Sequence, residues 1–355
     1  MIPYLDLRRA NDPLIKDIQR AVDGCLRRSS YLRGPETEAF EAEWAARCEQ
    51  KYAVACNSGT DALTISATAL NLDRATIPAN TLPLTGIGLS RAGARVTLAE
   101  VGNDGWMVAA APQQVPVLLY GRIPKALHVD WILYDAAHAH GWHPPAGAHA
   151  AWSFYPTKSL GAIGDAGAVT TNDADLAAAM RDICGRDDVL RDERQITSRM
   201  DEIQAAVLRV KLRHLDAWLM QRAEVASWYQ DRLQPLGVPL AGASLHHIYA
   251  VRVADRANLQ EHLSKKGIET KVHWRLPLDA VAGPWDRAGH FPQAHRWANE
   301  VLSLPMYPGL TAPEVTYICD SFEAWFEDNR GTTGSRGNSG GTAASKHSLS
   351  TRILP

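Results

Sequence analysis

The sequence predicts an α/β fold built on a large, mostly parallel sheet covered by helices on both faces. Three observations predict it. Short apolar runs return regularly between stretches of helical spacing: YAVAC (52–56), ATIP (75–78), ARVTLAEV (94–101), VPVLLY (115–120), WILY (131–134) and GAVTT (167–171). Strands that are apolar at successive positions are buried on both faces, as in parallel sheets. The first run stops at Asn57-Ser58-Gly59-Thr60 and a helical pattern follows, which is the order of a strand, a tight turn and a helix start. Finally, Asp135 closes an apolar run, at the strand end where ligands of α/β sheets sit.

Bulk properties bound the rest. A chain of 355 residues holds a large domain and a smaller one without a disulfide or metal staple. Lys and Arg number 37 against 39 Asp and Glu, a formal charge of -2, so no nucleic-acid footprint is expected. The five cysteines, at 25, 48, 56, 184 and 319, form no CxxC pair and no metal-ligand spacing, which fits a reducing compartment. No apolar run approaches the roughly 20 residues needed to cross a bilayer, and the start lacks the order of a signal peptide. A soluble cytoplasmic protein is expected.

In chain order, the first helix is expected from Glu36 to about Gln50, with Phe40, Trp44 and Ala45 on its apolar side and Glu36, Glu38 and Glu41 near its positive end. YAVAC is a buried strand and the helix after it starts near Asp61. The strands ATIP, ARVTLAEV and VPVLLY follow, with irregular chain between Val101 and Gln114. After GAVTT, Asn172 caps a helix through DADLAAAMRDICG, and a charged loop, GRDDVLRDERQ, comes next. A long helical region runs from Met200 to about Gln234 and ends at Pro235. HHIYAVRV (246–253) and GIETKVHW (267–274) are strand candidates around a helix from Asn258 to Lys266. A last helix from about Pro313 to Glu327 carries Val315, Ile318, Phe322 and Trp325 inward. The expected division is a large domain over 1–235, a small C-terminal α+β domain over 236–328, and a tail over 329–355 whose composition predicts disorder.

Three segments carry candidate chemistry. Lys158 stands beside Ser159 in WSFYPTKSLGAIGDAGAVTT, a glycine-rich turn between buried strands, where its amine could form a Schiff base with an aldehyde-bearing cofactor. An exposed loop lysine accounts for the segment equally well. The helix start after YAVAC offers unpartnered N–H groups to an anion, while plain capping by Ser58, Thr60 or Asp61 explains the same residues. Asp135, approached by apolar residues, is costly there unless it meets a cation or donors, and a protonated pyridine nitrogen would satisfy it. His138 could reach the same ligand or be structural, and His140 is expected to face outward.

Taken together, SGTDAL (58–63), DAAHAHG (135–141), SFYPTK (153–158), SRMDEIQAA (198–206), GIETKVHW and LSLPMYP (302–308) resemble the pyridoxal-phosphate-dependent sugar aminotransferases of the DegT/DnrJ/EryC1/StrS family, nearly throughout the chain to about residue 327. The resemblance implies fold type I, the aspartate-aminotransferase-like fold, in a homodimer with shared active sites. It implies that Lys158 forms the internal aldimine, that Asp135 faces the pyridine nitrogen and that His138 lies beside the cofactor. Thr60 and Asp61 would grip the phosphate with the hydroxyl of Ser153, and Leu82 would cover the cofactor ring. Arg199 is implied to reach toward the partner's site, and His273 to lie near substrate. The implied reaction moves an amino group from L-glutamate or L-glutamine to a nucleotide-linked keto sugar, a 3-keto-hexose by the SFYP run followed by LGAIGD, with 4-keto sugars and keto-cyclitols as alternatives.

The chain departs from the family's pattern at four places. Leu82 stands where an aromatic ring is common, Thr197 where asparagine precedes the Ser-Arg pair, Ser159 where asparagine follows the lysine, and Ala166 within a GDGG turn. The segment after Val101 and the charged loop after Arg186 look shortened. These departures leave room for a non-catalytic homologue that keeps the fold, and a racemase or lyase is a third possibility. Retention of both Lys158 and Asp135 favours aminotransfer.

Overall fold

The computed structural model describes residues 1–108, 113–123, 133–185, 194–238 and 244–329. Most of the charged loop after Gly185 and the tail beyond Asn329 lie outside the described residues. Two α-helices, α1 (Leu7–Asn11) and α2 (Ile15–Arg28), precede the first helix that the sequence predicts. The second was legible: Ile18, Val22 and Cys25 recur at helical spacing within an otherwise charged stretch. Its apolar side packs with Val207, Val210 and Trp218.

Helix α3 (Pro35–Arg47) leads into β1 (Tyr52–Cys56), α4 (Gly59–Ala69), β2 (Arg74–Pro78), α5 (Pro83–Arg91) and β3 (Arg95–Ala99). Strand β4 (Leu133–Asp135) is followed by β5 (His149–Ser153), β6 (Gly167–Thr171) and α6 (Ala174–Ile183). Asp173, rather than Asn172, caps α6 by accepting the N–H of Leu176, while Asn172 accepts the N–H of Lys51. The long helical region divides into α7 (Glu202–Leu212) and α8 (Leu215–Leu233), because Arg213 and His214 form a turn between them.

The remaining elements are β7 (Tyr249–Arg252), α9 (Arg256–Lys265), β8 (Trp285–Asp286), α10 (Pro292–Glu300), β9 (Val301–Leu304) and α11 (Ala312–Asp328). The segment 267–274 is not a continuous strand: it bridges singly, from Ile268 to Ile2 and from Lys271 to Ser303. Ile2 joins Tyr229, Tyr249, Leu302, Phe322 and Trp325 in one core, so the N-terminus and the end of α8 both pack with the C-terminal elements.

The main sheet explains where a ligand can sit. Strands run in the order β1-β6-β5-β4 and, in a second ladder, β2-β3-β8. Residues 113–118 join the two, through parallel bridges from Gln114 to Thr76 and from Val117 to Asp135. VPVLLY therefore contributes its pairing as a linking segment before the chain turns at Leu119–Gly121. Within these two ladders β6 runs antiparallel to both neighbours and the other pairings are parallel, which gives the expected mostly parallel sheet, while β7 and β9 pair antiparallel apart from it. Cys56, Gly167 and Ser153 fall in register, and Asp135 ends the next strand, so four strand ends meet at one edge. Trp44, Trp152 and Phe154 fill one face of the sheet, and Ile65, Ile77 and Val169 the other.

None of the five cysteines forms a disulfide, and all are buried. Among the described residues, no helix is long and apolar enough to cross a membrane.

One buried carboxylate fastens α3 to this framework. The N-cap of α3 is Gly34, which has no side chain to offer, and Glu202 of α7 supplies the acceptor instead. It takes the N–H groups of Gly34, Glu36 and Thr37 at 2.9–3.0 Å and the hydroxyl of Thr37. Burial pushes the Glu202 carboxyl up, but these four donors outweigh it and hold the group below its ordinary value. The stabilisation is therefore present above the ordinary glutamate range and is lost as pH falls through the lowered value. Glu202→Ala should cost about 2–4 kcal/mol by leaving these donors unmatched. Urea unfolding measures this, and an unchanged midpoint would remove the capping role.

Candidate active site

A cavity of about 510 Å³ opens at the edge where the strands end. The first turn of α4 contributes Thr60, the segment after β2 contributes Leu82, and Asp135 and Ser153 close β4 and β5. His138, Lys158 and His273 complete the set of predicted residues that share this cavity. Lys158 is half-buried and stands on the loop between β5 and β6. That loop is held by its own backbone, with Phe154 N–H donating to Ala166 and Ala162 N–H donating to Phe154. Buried Lys211 donates to the carbonyl of Gly161 from below.

Electrostatics make Lys158 and Asp135 a pair. Burial pushes the Lys158 amine down to about 8, and the Asp135 charge opposes that drop. Burial likewise raises Asp135, against the pull of Thr85, the N–H of Ala137 and the charge of Lys158. Thr85 donates its hydroxyl to Asp135 Oδ2 at 2.8 Å and Ala137 donates to Oδ1 at 3.1 Å. A carboxylate that remains raised after two hydrogen bonds is short of positive charge, which a protonated ring nitrogen would supply.

The helix start supplies the complementary half. Ser58 Oγ takes the N–H of Asp61, while the N–H groups of Gly59 and Thr60 have no acceptor within the helix. The hydroxyls of Thr60 and Ser153 stand beside them on the cavity wall. Two glycines make the approach possible. A Cβ on Gly59 would lie 2.6 Å from that of Ser153, and one on Gly167 would lie 2.3 Å from the carbonyl of Ser58. The donor set suits a phosphate and the buried carboxylate suits a pyridine nitrogen, so pyridoxal phosphate fits the residues present.

Two predicted residues stay outside the cavity in the single chain. Asp61 turns its carboxylate to the hydroxyl of Ser198 at 2.8 Å, and Arg199 is half-buried away from the lining. His140 does not face outward. It is fully buried, 5.5–5.9 Å from the rings of Trp44, Trp152 and Phe154.

The departures from the family pattern also have locations. Leu82 caps α5 and lines the cavity, Thr197 is exposed, and Ala166 is absent from the residues at positive φ. The Ser159 hydroxyl lies 3.2 Å from His247 Nδ1.

Sequence reasoning missed several groups. His247 lines the cavity, its ring 4.5 Å from that of His138. Thr85 orients Asp135, and Arg222 lies buried on the lining, donating to the carbonyls of His247 and Met306. Only the His246-His247 pair at the start of a strand candidate signalled anything locally; Thr85 and Arg222 read as ordinary helix residues. Burial above all lowers four histidines, His138 and His247 strongly, His140 to about 3 and His273 to about 4, with the charge of Lys158 adding to each and that of Lys271 adding more at His273. All four are neutral at pH 7.

Comparison with known proteins agrees with this geometry. The model of the DegT/DnrJ/EryC1/StrS aminotransferase family matches residues 13–115 and 125–323. The dTDP-3-amino-3,4,6-trideoxy-alpha-D-glucose transaminase of Streptomyces venezuelae is 35% identical over 365 residues, covering 92% of this chain and 96% of that protein. The erythromycin biosynthesis sensory transduction protein EryC1 of Saccharopolyspora erythraea is 36% identical over 362 residues, covering 91% and 99%. The crystal structure of S. venezuelae DesV in complex with a ketimine intermediate matches with a TM-score of 0.85 at 35% identity, covering 92% of this chain and 98% of that one. With Lys158 and Asp135 in one cavity at the strand ends, the chain belongs to the DegT/DnrJ/EryC1/StrS family of pyridoxal-phosphate-dependent sugar aminotransferases.

Proposed function

We propose that this enzyme transfers an amino group from L-glutamate or L-glutamine to a nucleotide-linked 3-keto-hexose, with Lys158 as the residue that bonds the cofactor. The observation that carries the reading is a lysine lowered to about 8 in the same cavity as a buried aspartate and an anion-binding helix start. Amination at carbon 3 draws support from the name of the S. venezuelae relative, which specifies a 3-amino sugar.

Pyridoxal phosphate, when bound, carries the amino group between the two substrates and draws electrons from the reacting carbon. In this reading Asp135 holds the proton on the ring nitrogen, and Thr85 with the Ala137 N–H keeps its carboxylate aimed. Gly59, Thr60 and Ser153 hold the phosphate, and Leu82 covers the ring by dispersion. Lys158 Nζ takes the proton from the donor's α-carbon and, in the second half of the cycle, delivers one to the sugar carbon that receives nitrogen. His138 lies beside the cofactor and His273 on the substrate side. Lowered imidazoles there add no positive charge beside Lys158 and are too weakly basic to take its protons.

A homodimer with shared sites belongs to the same proposal. Leu84 and Tyr155 line the cavity yet are 47% and 51% exposed, apolar surface that a second copy would cover. Arg199 and exposed Thr197 would then serve the partner's site. Cysteines without disulfides fit a cytoplasmic location.

The amine of Lys158 must be neutral to bond the cofactor's aldehyde carbon. Below about pH 8 its neutral fraction grows tenfold per pH unit, and above that it levels off. The rate of cofactor loading, followed by stopped-flow absorbance, should therefore rise about tenfold from pH 6 to 7 and flatten above 8. A rate independent of pH across that range would remove Lys158 as the bonding amine.

Lys158→Ala should lower turnover by about 10³-fold or more while the protein stays folded. The substrate reading is tested by loading the parent enzyme and adding L-glutamate or L-glutamine, then the 3-keto and 4-keto isomers of a dTDP-hexose. Spectral change with the donor followed by amination of only the 3-keto sugar is expected. Amination of only the 4-keto isomer would refute the proposed position, and no response to either donor would refute the donor class.

A further inference from the structure

The turn Leu119–Gly121 is built around an unusual residue. Tyr120 has φ 63° and ψ 0°, the left-handed region that a bulky side chain rarely adopts, and Gly121 follows at φ 88°. A Cβ at position 121 would lie 3.1 Å from the His247 backbone nitrogen and 3.2 Å from the His138 carbonyl oxygen, a tight fit that adds to the preference for glycine set by φ. The chain holds a strained conformation where two histidines of the cavity wall meet.

Each polar group of Tyr120 engages one of the cavity's histidines. Its N–H donates to His138 Nδ1 at 3.2 Å. Its carbonyl accepts the N–H of His247 at 3.1 Å, and its phenol donates to the carbonyl of His273. The first contact has a chemical consequence. A neutral imidazole whose Nδ1 accepts a hydrogen bond carries its proton on Nε2. Nε2 is the remaining polar atom of a ring that lines the cavity.

We propose that Tyr120 is a positioning residue: its left-handed turn fixes His138 as the Nε2–H tautomer, a permanent donor to an anionic oxygen in the cavity such as the cofactor's phenolic oxygen, and anchors His247 and His273 beside it. The oxygen's identity rests on pyridoxal phosphate being the cofactor, whereas the tautomer is a property of the protein alone. His247 covers the His138 ring, and Ser159 in turn lies within hydrogen-bond distance of His247, so the arrangement ends one residue from Lys158. Asparagine tolerates the left-handed region and valine resists it. The two substitutions therefore separate the turn from the side chain.

The experiment is long-range ¹H–¹⁵N correlation on full-length cofactor-free protein labelled at histidine, with His138 identified by its loss in His138→Gln. The parent should show Nε2–H at His138, and a proton on Nδ1 would overturn the proposal even if no variant folds. Tyr120→Asn should retain that tautomer. Tyr120→Val should mix the two tautomers and weaken pyridoxal phosphate binding about tenfold by absorbance titration, the loss of about one hydrogen bond. An unchanged tautomer in Tyr120→Val, or a changed tautomer with unchanged affinity, would overturn the positioning role. If the parent fails to bind pyridoxal phosphate while His138 shows the expected tautomer, the proposed function fails and the conformational assignment stands.

Discussion

The site depends on a lysine and an aspartate that burial drives toward neutrality while each sustains the other's charge. The Asp135 charge limits the fall of Lys158, and the Lys158 charge limits the rise of Asp135. In a poorly solvated cavity such coupling is stronger than on a surface, so any further charge nearby would shift both groups. The surrounding side chains are suited to this. The four histidines near Lys158 are neutral, and Arg222 directs its guanidinium to backbone carbonyls. The other charged side chains on the wall are Asp165, Arg222 and Lys271, and the neutral histidines add none to them.

Sheet topology brings that pair together. Reversal of β6 makes the segment after β5 a return loop over the carboxyl edge instead of a crossover to the far side. Lys158 therefore projects from a loop fixed at both ends, opposite a parallel strand that ends in Asp135. The parallel strands β4 and β5 place Asp135 opposite Ala151, two residues before Ser153. Packing of Trp44, Trp152 and Phe154 beneath the edge sets the floor of this arrangement. The division of labour is physical: apolar packing fixes the strands, and the strand ends aim the polar groups.

Much of this was legible because periodicity and strand-end placement are local properties. YAVAC, the helix after Ser58 and the position of Asp135 follow from neighbouring residues, and Lys158 stood out within its glycine-rich segment. What sequence could not carry was convergence from a distance. Thr85 meets Asp135 across 50 residues and His247 meets Ser159 across 88. His140 illustrates the reverse error, since it was expected to face outward and is fully buried. The chain there is a turn, and the turn carries His140 into an aromatic cluster.

The four departures from the family pattern bear on whether the site is intact. Ala166 would be strained in a left-handed turn, but its backbone is not at positive φ, so the missing glycine removes nothing that the conformation needs. Ser159 is too short to replace every contact of an asparagine, yet its hydroxyl is within reach of His247 and stays buried. Leu82 retains an apolar surface on the cavity and, against a bound ring, would give up only the directional part of stacking, about 0.5–1.5 kcal/mol. Thr197 alone stands on the exposed surface, where its effect passes through whatever covers that face. Three of the four substitutions are therefore absorbed within the chain, and the Lys158–Asp135 pair does not depend on the fourth.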